Sequence, residues 1–280
     1  MIWKVRGKIV TFDRTLLMGI VNVTPDSFSD GGKFLHPENA AECAVRLAEE
    51  GAEILDLGAE STRPGAVAVT AKEELSRLLP VLKIVRKKTQ ALISIDTAKP
   101  EVAKPCLAEG ADIINDVTGL RFSGKKMASI VKKTEAGLIL MHSRGTSQTM
   151  QSLTNYDDLA GEILKEIAES VETALKTGIN REQIIIDPGL GFAKTAEQNV
   201  EILKNLKVFK QAGFPLLVGP SRKAFIGKVT GCEVSDREFG TAACVATCVM
   251  QGAQVVRVHN VKAMRDVVRM TEAIKQNNKF

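Results

Sequence analysis

Eight short apolar runs, each followed by residues at helical spacing, predict a (β/α)8 TIM barrel with an N-terminal β-hairpin closing its bottom. The runs are 16–23, 53–58, 92–97, 112–118, 137–143, 184–189, 215–221 and 255–260. They are continuous and rich in Ile, Val and Leu, as parallel strands buried on both faces are. The competing architecture is a doubly wound sheet. No GxGxxG or Walker A sequence follows the first run, which removes that fold's main marker. No linker, low-complexity segment or composition break divides the 280 residues, so 1–280 is expected to form one barrel domain.

The hairpin is expected over 1–15, with Ile2, Val5, Ile9, Val10 and Phe12 around Arg6-Gly7-Lys8. It would plug the end of the barrel where no strand terminus offers chemistry. The first barrel strand, 16–23, must stop at Thr24-Pro25, because Pro cannot donate to a ladder. Helical spacing then covers 36–50, closed by Gly51, and 72–89, where Leu75, Leu78, Leu79, Leu82 and Val85 share a side. The helix at 99–109 opens on Lys99-Pro100, a tolerated first-turn position, and closes on Gly110. A short amphipathic piece lies at 125–135. The stretch 157–177 carries the stripe Ile163, Ile167, Val171 and Leu175, and stops at Gly178. A helix at 196–212 carries Val200, Leu203, Leu206 and Phe209 before Gly213. The helix at 236–251 is small and apolar nearly all round after Phe239, so it should be covered on more than one side. The last, 261–276, is amphipathic.

Composition excludes several classes. A net charge of +5 without a Lys/Arg block suits no nucleic-acid surface, and one Trp and one Tyr make no stacking platform. No apolar run approaches the ~20 residues of a membrane span. The N-terminus alternates apolar and basic residues instead of presenting a signal peptide's core. Cys43, Cys106, Cys232, Cys244 and Cys248 form no CxxC pair, which predicts buried thiols in a reducing cytoplasm.

The C-terminal end of each strand exchanges apolar residues for polar ones. In order these are Asn22; Asp56, with Glu60, Thr62 and Arg63 beyond it; Asp96; Asn115 and Asp116; Met141, His142 and Arg144; Asp187; Ser221, Arg222 and Lys223; and Arg257 with His259. In a barrel they share one rim. A single such Asp could be a helix cap, but the same exchange on every strand points to a pocket. Asp96, Asn115 and Asp187 suit the flat edge of a ring bearing N–H and NH2 groups, since carboxylates pair with parallel donors. Lys223 supplies a cation. Arg63, Arg257 and His259 suit phosphate oxygens. Asn22 is a neutral oxygen ligand able to help hold Mg2+ beside a diphosphate.

Several of these stretches resemble the signatures of the dihydropteroate synthase family. They are Gly19-Ile-Val-Asn-Val-Thr-Pro-Asp-Ser-Phe-Ser-Asp-Gly-Gly32, Asp56-Leu-Gly-Ala-Glu-Ser-Thr-Arg-Pro-Gly65, Ile95-Asp-Thr97, Ile114-Asn-Asp116, Leu140-Met-His142, Asp187-Pro-Gly-Leu-Gly-Phe-Ala-Lys194, Ser221-Arg-Lys223 and Arg257-Val-His259. The resemblance implies condensation of 6-hydroxymethyl-7,8-dihydropterin diphosphate with 4-aminobenzoate. The products are 7,8-dihydropteroate and diphosphate, in folate biosynthesis. It implies that Asp96, Asn115, Asp187 and Lys223 bind the pterin, with Met141 against the ring. Asn22 with Mg2+, Thr62, Arg63, Arg257 and His259 would hold the diphosphate. Phe28, Pro64, Phe192, Ser221 and Lys223 would form the 4-aminobenzoate pocket, with the carboxylate near Ser221 and the helix start after it.

The family's reaction is described as diphosphate departure followed by arylamine attack, with Asp96, Lys223, Arg257 and His259 as the catalytic set. A neutral arylamine is already a nucleophile, so no strong general base is required. The resemblance also implies a homodimer joined through 236–251 and 261–276, and a lid over 24–34 that closes with the 63–70 loop. Departures are small. Ala66-Val-Ala-Val69 stands where relatives often carry a Glu near Val67, and Pro220 occupies a variable position. The sequence leaves two alternatives. One is a methyltetrahydrofolate-dependent methyltransferase serving a corrinoid protein, which shares the pterin set but not the Asn22 to Gly32, Ser-Thr-Arg-Pro-Gly or Ser-Arg-Lys stretches. The other is a non-catalytic pterin-binding paralogue, which should have lost Lys223, Arg257, His259 or the Asp residues of the first loop, Asp26 and Asp30; the sequence keeps them all.

Overall fold

The computed structural model describes residues 1–24 and 36–276. It opens with β1 (Ile2–Val5) and β2 (Lys8–Thr11), paired antiparallel and joined by Arg6 and Gly7, both in left-handed backbone. The barrel strands follow: β3 (Leu16–Asn22), β4 (Ile54–Gly58), β5 (Leu92–Asp96), β6 (Ile113–Asp116), β7 (Gly137–Met141), β8 (Ile184–Asp187), β9 (Leu217–Val218) and β10 (Val255–Val258). Among the described residues they form one eight-stranded parallel sheet ordered β8-β7-β6-β5-β4-β3-β10-β9. A bridge between Ile186 and Leu216 returns β9 toward β8 and closes the ring.

The helices around it are α1 (Pro37–Glu49), α2 (Ala71–Lys88), α3 (Pro100–Ala108), α4 (Gly124–Thr134), α5 (Leu159–Thr177), α6 (Ala196–Lys204), α7 (Ala224–Thr230), α8 (Glu238–Gln251) and α9 (Val261–Gln276). Their starts are chemically marked. Thr70 Oγ1 accepts from the Glu73 N–H, Asp158 accepts from the Gly161 N–H, and Thr195 with Gln198 makes a capping box. The expected α/β order and the bottom hairpin are both present.

Strand alternation sorts the core into two bodies. Residues such as Leu55, Leu57, Ile93, Ile95, Leu138, Leu140, Val256 and Val258 face outward into the large cluster under the helices. Leu16, Met18, Ile54, Ile113, Ile139, Ile185, Leu217 and Val255 face inward and meet Trp3 and Val5 of the hairpin. Trp3 is fully buried, and its Nε1–H donates to the Gln183 carbonyl at 2.9 Å. A Cβ on Gly137 would stand 2.8 Å from the Trp3 ring, so the glycine opening β7 makes room for the plug. Burying an aromatic of this kind removes roughly 150–250 Å2 from water, worth about 4–6 kcal/mol before entropy is counted.

Two element boundaries are corrected. The strand expected over 215–221 shortens to Leu217–Val218 and the bridge residue Leu216, because Pro215 and Pro220 bring no N–H to the ladder. The helix expected over 196–212 ends at Lys204, and a 3-10 segment, Leu206–Ala212, continues after Asn205 leaves helical geometry. The helix start expected after Ser221 is present as the short α7, with Lys223 as its N-cap residue.

Helix α8 buries Thr241, Val245, Cys248 and Val249, and its Gly240 faces Ile226 of α7. The opposite side stays open in this chain: Phe239 is 90% exposed, and Met250, with Met270 and Ile274 of α9, is also exposed. All five cysteines are free, but only Cys106 and Cys248 are buried where all five were expected to be; Cys43, Cys232 and Cys244 are half-buried. Burial pushes the Cys106 thiol up to about 12 and the Cys244 thiol up to about 11. Among the described residues no helix is long and apolar enough to cross a membrane.

Candidate active site

Two residues beyond the inward apolar layer, the same strands present Asp56, Ser94, Asn115, Met141, Asp187 and Arg257. Asp56 is fully buried, and its Oδ2 accepts from Arg257 Nε at 2.6 Å and from Asn115 Nδ2 at 3.2 Å. Arg257 Nη2 also donates to Asp96 Oδ2 at 3.0 Å. One cation and two carboxylates thus tie β4, β5, β6 and β10 together at their C-terminal ends. The charges do not cancel. Burial, reinforced by the Asp56 carboxylate, raises Asp96 above the usual carboxylate range despite its bond to Arg257. Asp56 Oδ1 has no partner among the described residues. The pocket therefore has acceptors waiting for N–H donors.

Asp187 lies on the facing side, where its Oδ1 accepts the Gly189 N–H at 2.7 Å. Burial lifts its carboxyl to about 6, against the pull of that N–H and of Lys223 and Lys194. Lys223 is the matching cation. Burial and the nearby Arg257 lower its ammonium to about 8, with Asp187 and Asp96 opposing. Its Nζ stands 4.5 Å from the centre of the Phe192 ring.

Left-handed backbone at Ala193 (φ 50) and Arg222 (φ 55) aims these groups. For a non-glycine residue that conformation costs roughly 1–3 kcal/mol. The surroundings hold Arg222 there: its N–H donates to Thr241 Oγ1 at 3.0 Å, and its guanidinium reaches Glu238 at 3.4 Å, both on α8.

Ser221 and His259 interlock. The His259 backbone N–H donates to Ser221 Oγ at 3.2 Å, and the serine hydroxyl donates to His259 Nδ1 at 2.9 Å. That assignment puts the ring proton on Nε2. Burial holds the His259 imidazole down to about 3, and Arg257, Arg222, Lys223 and Arg63 push the same way. The ring is a neutral donor at pH 7.

Asn22 ends β3, half-buried beside Gly58. On the loop after β4, Thr62 is half-buried and Arg63 and Pro64 are exposed. The base of that loop is closed by the Val69 N–H on Glu60 Oε1 at 3.1 Å, and Glu60 is paired with Lys99, which also holds buried Glu74 at 2.6 Å. The Gly65 N–H donates to the Ser147 carbonyl at 2.9 Å, joining two rim loops. Met141 is buried at the end of β7, in register with Asp187. Phe28, and the lid expected over 24–34 beyond Thr24, lie outside the described residues. Among the described residues no group of three or more His, Cys, Asp or Glu could hold a metal ion.

A family model described as pterin binding enzyme matches residues 18–259. A dihydropteroate synthase of Synechocystis is 47% identical over 262 residues, covering 93% of this chain and 90% of that protein. The chain belongs to the dihydropteroate synthase family. Solved dihydropteroate synthases share its fold. One from Clostridium difficile, determined in the presence of pteroic acid, is 44% identical, with a TM-score of 0.88 over 94% of this chain and 97% of that one. One from Xanthomonas albilineans with 4-aminobenzoic acid is 40% identical, with a TM-score of 0.91 over 99% of each chain.

Membership in the dihydropteroate synthase family displaces the corrinoid methyltransferase alternative. Lys223, Arg257 and His259, whose loss would mark a non-catalytic paralogue, all stand at the rim. Asp56 is the residue that strand-end reasoning undervalued: the sequence placed it at the rim without a role. The signal was its phase, two residues after Ile54 on the inward side of β4.

Proposed function

We propose that this chain condenses 6-hydroxymethyl-7,8-dihydropterin diphosphate with 4-aminobenzoate to give 7,8-dihydropteroate and diphosphate. The observation that carries the reading is the acceptor-rich pocket of Asp56, Asp96, Asn115 and Asp187 beside the cations Lys223 and Arg257. A pterin's guanidine-like edge supplies the N–H donors that this pocket lacks. Asp96, Asn115, Asp187 and Lys223 hold the ring, and Met141 packs against it. Thr62, Arg63, Arg257 and His259 Nε2–H bind the diphosphate. Phe192, Pro64, Ser221, Lys223 and Phe28 take the 4-aminobenzoate, and Ser221 exchanges its bond to His259 for one to the carboxylate.

In the reaction the C–O bond to the diphosphate breaks first, and both electrons leave with the oxygen. Arg63, Arg257 and His259 stabilise the charge that develops there, and Asp96 faces the pterin-methyl cation left behind. The arylamine nitrogen then forms the C–N bond and loses a proton to water. Asn22 is suited to one position on Mg2+, a cation that takes a single protein oxygen readily when substrate phosphates and water complete its shell. When bound, Mg2+ neutralises charge on the departing diphosphate.

Purified protein incubated with the pterin diphosphate, labelled 4-aminobenzoate and Mg2+ is expected to yield labelled dihydropteroate. Product formation should stop on chelation and return with added Mg2+, and sulfonamides shaped like 4-aminobenzoate should compete. Failure of the wild-type protein to form product rejects the reaction.

We further infer a homodimer through the open apolar face of α8 and α9. Its support is the exposure of Phe239, Met250, Met270 and Ile274 together. Light scattering should give twice the chain mass for the wild type and a monomer for Phe239→Glu. A monomeric wild type contradicts it.

A further inference from the structure

Two motif residues have no place among the substrate contacts, and they touch each other. His142 follows β7 and Lys194 follows β8, both buried behind the rim. Lys194 is 3% exposed. Its Nζ lies 2.9 Å from His142 Nδ1 and donates to the Phe192 carbonyl at 2.9 Å. The far side of the imidazole is also fixed: Nε2–H donates to Glu166 Oε2 at 3.1 Å, and Glu166 is held by Arg121 at 2.9 Å and Arg144 at 2.8 Å.

A buried ammonium is costly unless its donors are used. Burial lowers Lys194 to about 7, with Asp187 and Glu166 opposing. The cost is borne next to the turn that carries Phe192. That turn is gripped elsewhere as well. The Tyr156 hydroxyl donates to the Ala193 carbonyl at 3.0 Å, and the Gly191 N–H donates to Asn199 Oδ1 at 2.6 Å. Gly189 has no room for a side chain, since a Cβ there would run into the His142 carbonyl oxygen. Among the described residues Lys194 is the one hydrogen-bond donor to Phe192's own carbonyl.

We propose that Lys194 is a positioning residue for the planar aromatic amine: held on His142, it fixes the Phe192 carbonyl from behind and so sets the Phe192 ring over Lys223. The inference rests on the 4-aminobenzoate reading above. It makes Lys194 act on the second substrate through Phe192 without touching that substrate.

The test is a double-mutant cycle in steady-state kinetics on wild type, Lys194→Met, Phe192→Ala and the double variant, with each substrate's KM measured separately. Lys194→Met should raise the KM for 4-aminobenzoate about tenfold and leave that for the pterin diphosphate within about twofold, and in the Phe192→Ala background it should add little, because coupled residues are not additive. If Lys194→Met does not unfold cooperatively, Lys194→Gln, which keeps a donor, replaces it in the same cycle. An additive effect overturns the proposal. So does an equal rise in both KM values, which would assign Lys194 to the Asp187 side of the pocket. An inactive wild type would instead reject the reaction itself, so the two failures are distinguishable.

Discussion

The two mouths of the barrel are made by the same strands and have opposite chemistry. At the N-terminal mouth the inward side chains are Met18, Ile54, Ile113, Ile139, Ile185, Leu217 and Val255, sealed by Trp3 and Val5. Two residues further along, β4, β6, β8 and β10 turn Asp56, Asn115, Asp187 and Arg257 into the same bore. The fold thereby separates stability from chemistry by one step of strand alternation. Apolar burial at one end offsets the cost of desolvating charges at the other. Damage should therefore register as lost stability at the bottom and as lost turnover at the top.

The sharpest way to break this comparison is at the rim. Lys223→Ala should lower kcat/KM by about 10^2–10^3-fold, the scale of removing one preorganised electrostatic group, while thermal unfolding stays close to wild type. Near-wild-type kinetics would remove Lys223 from the site. The matching change at the bottom is Trp3→Ala, expected to cost about 3–5 kcal/mol in denaturant unfolding with both KM values in the folded protein unchanged. A Trp3→Ala protein of normal stability but poor turnover would invert the account.

A smaller effect concerns pH. Burial holds His259 down to about 3 and His142 down to about 4, with Lys194 adding to the effect on His142. Once unfolded, both rings titrate near 6.5. As the pH falls below about 6.5, the unfolded chain binds protons that the native state refuses, so this contribution is intact above that value and drains toward pH 4, by at most ~1.4 kcal/mol per unit for each ring. Asp187, raised to about 6, offsets part of it in the same window because its native form takes up the proton more readily. The direct readout is NMR of the ring nitrogens: neither His142 nor His259 should reach imidazolium shifts between about pH 8 and 5, beyond the smaller change that Lys194, titrating near 7, passes to His142. A midpoint near 6.5 for either would show that its ring is not held neutral.

Much of this was legible in the sequence, and the gaps have physical causes. The barrel was legible because every strand is a continuous apolar run and most helices end on Gly. Strand β9 was overextended because Pro215, Gly219 and Pro220 flank its apolar centre and lengthen the run without adding strand residues. The rim was legible because each strand changes character at one end. What the sequence could not supply was the distance between residues far apart along the chain. Asp56 and Arg257 are 201 positions apart, and Lys194 and His142 are 52 apart, yet each pair is in hydrogen-bond contact. Such contacts are set by strand register around the ring, which no local pattern encodes.

The central claim is that the polar C-terminal mouth receives the pterin diphosphate while the apolar N-terminal mouth only holds the barrel shut. A crystal structure of the protein with the pterin diphosphate and Mg2+ tests it most directly. The pterin edge should lie on Asp96, Asn115 and Asp187, with the diphosphate on Arg63, Arg257 and His259 and the Trp3 plug unmoved. A ring bound away from those carboxylates, or a pterin seated at the hairpin end, would contradict the account.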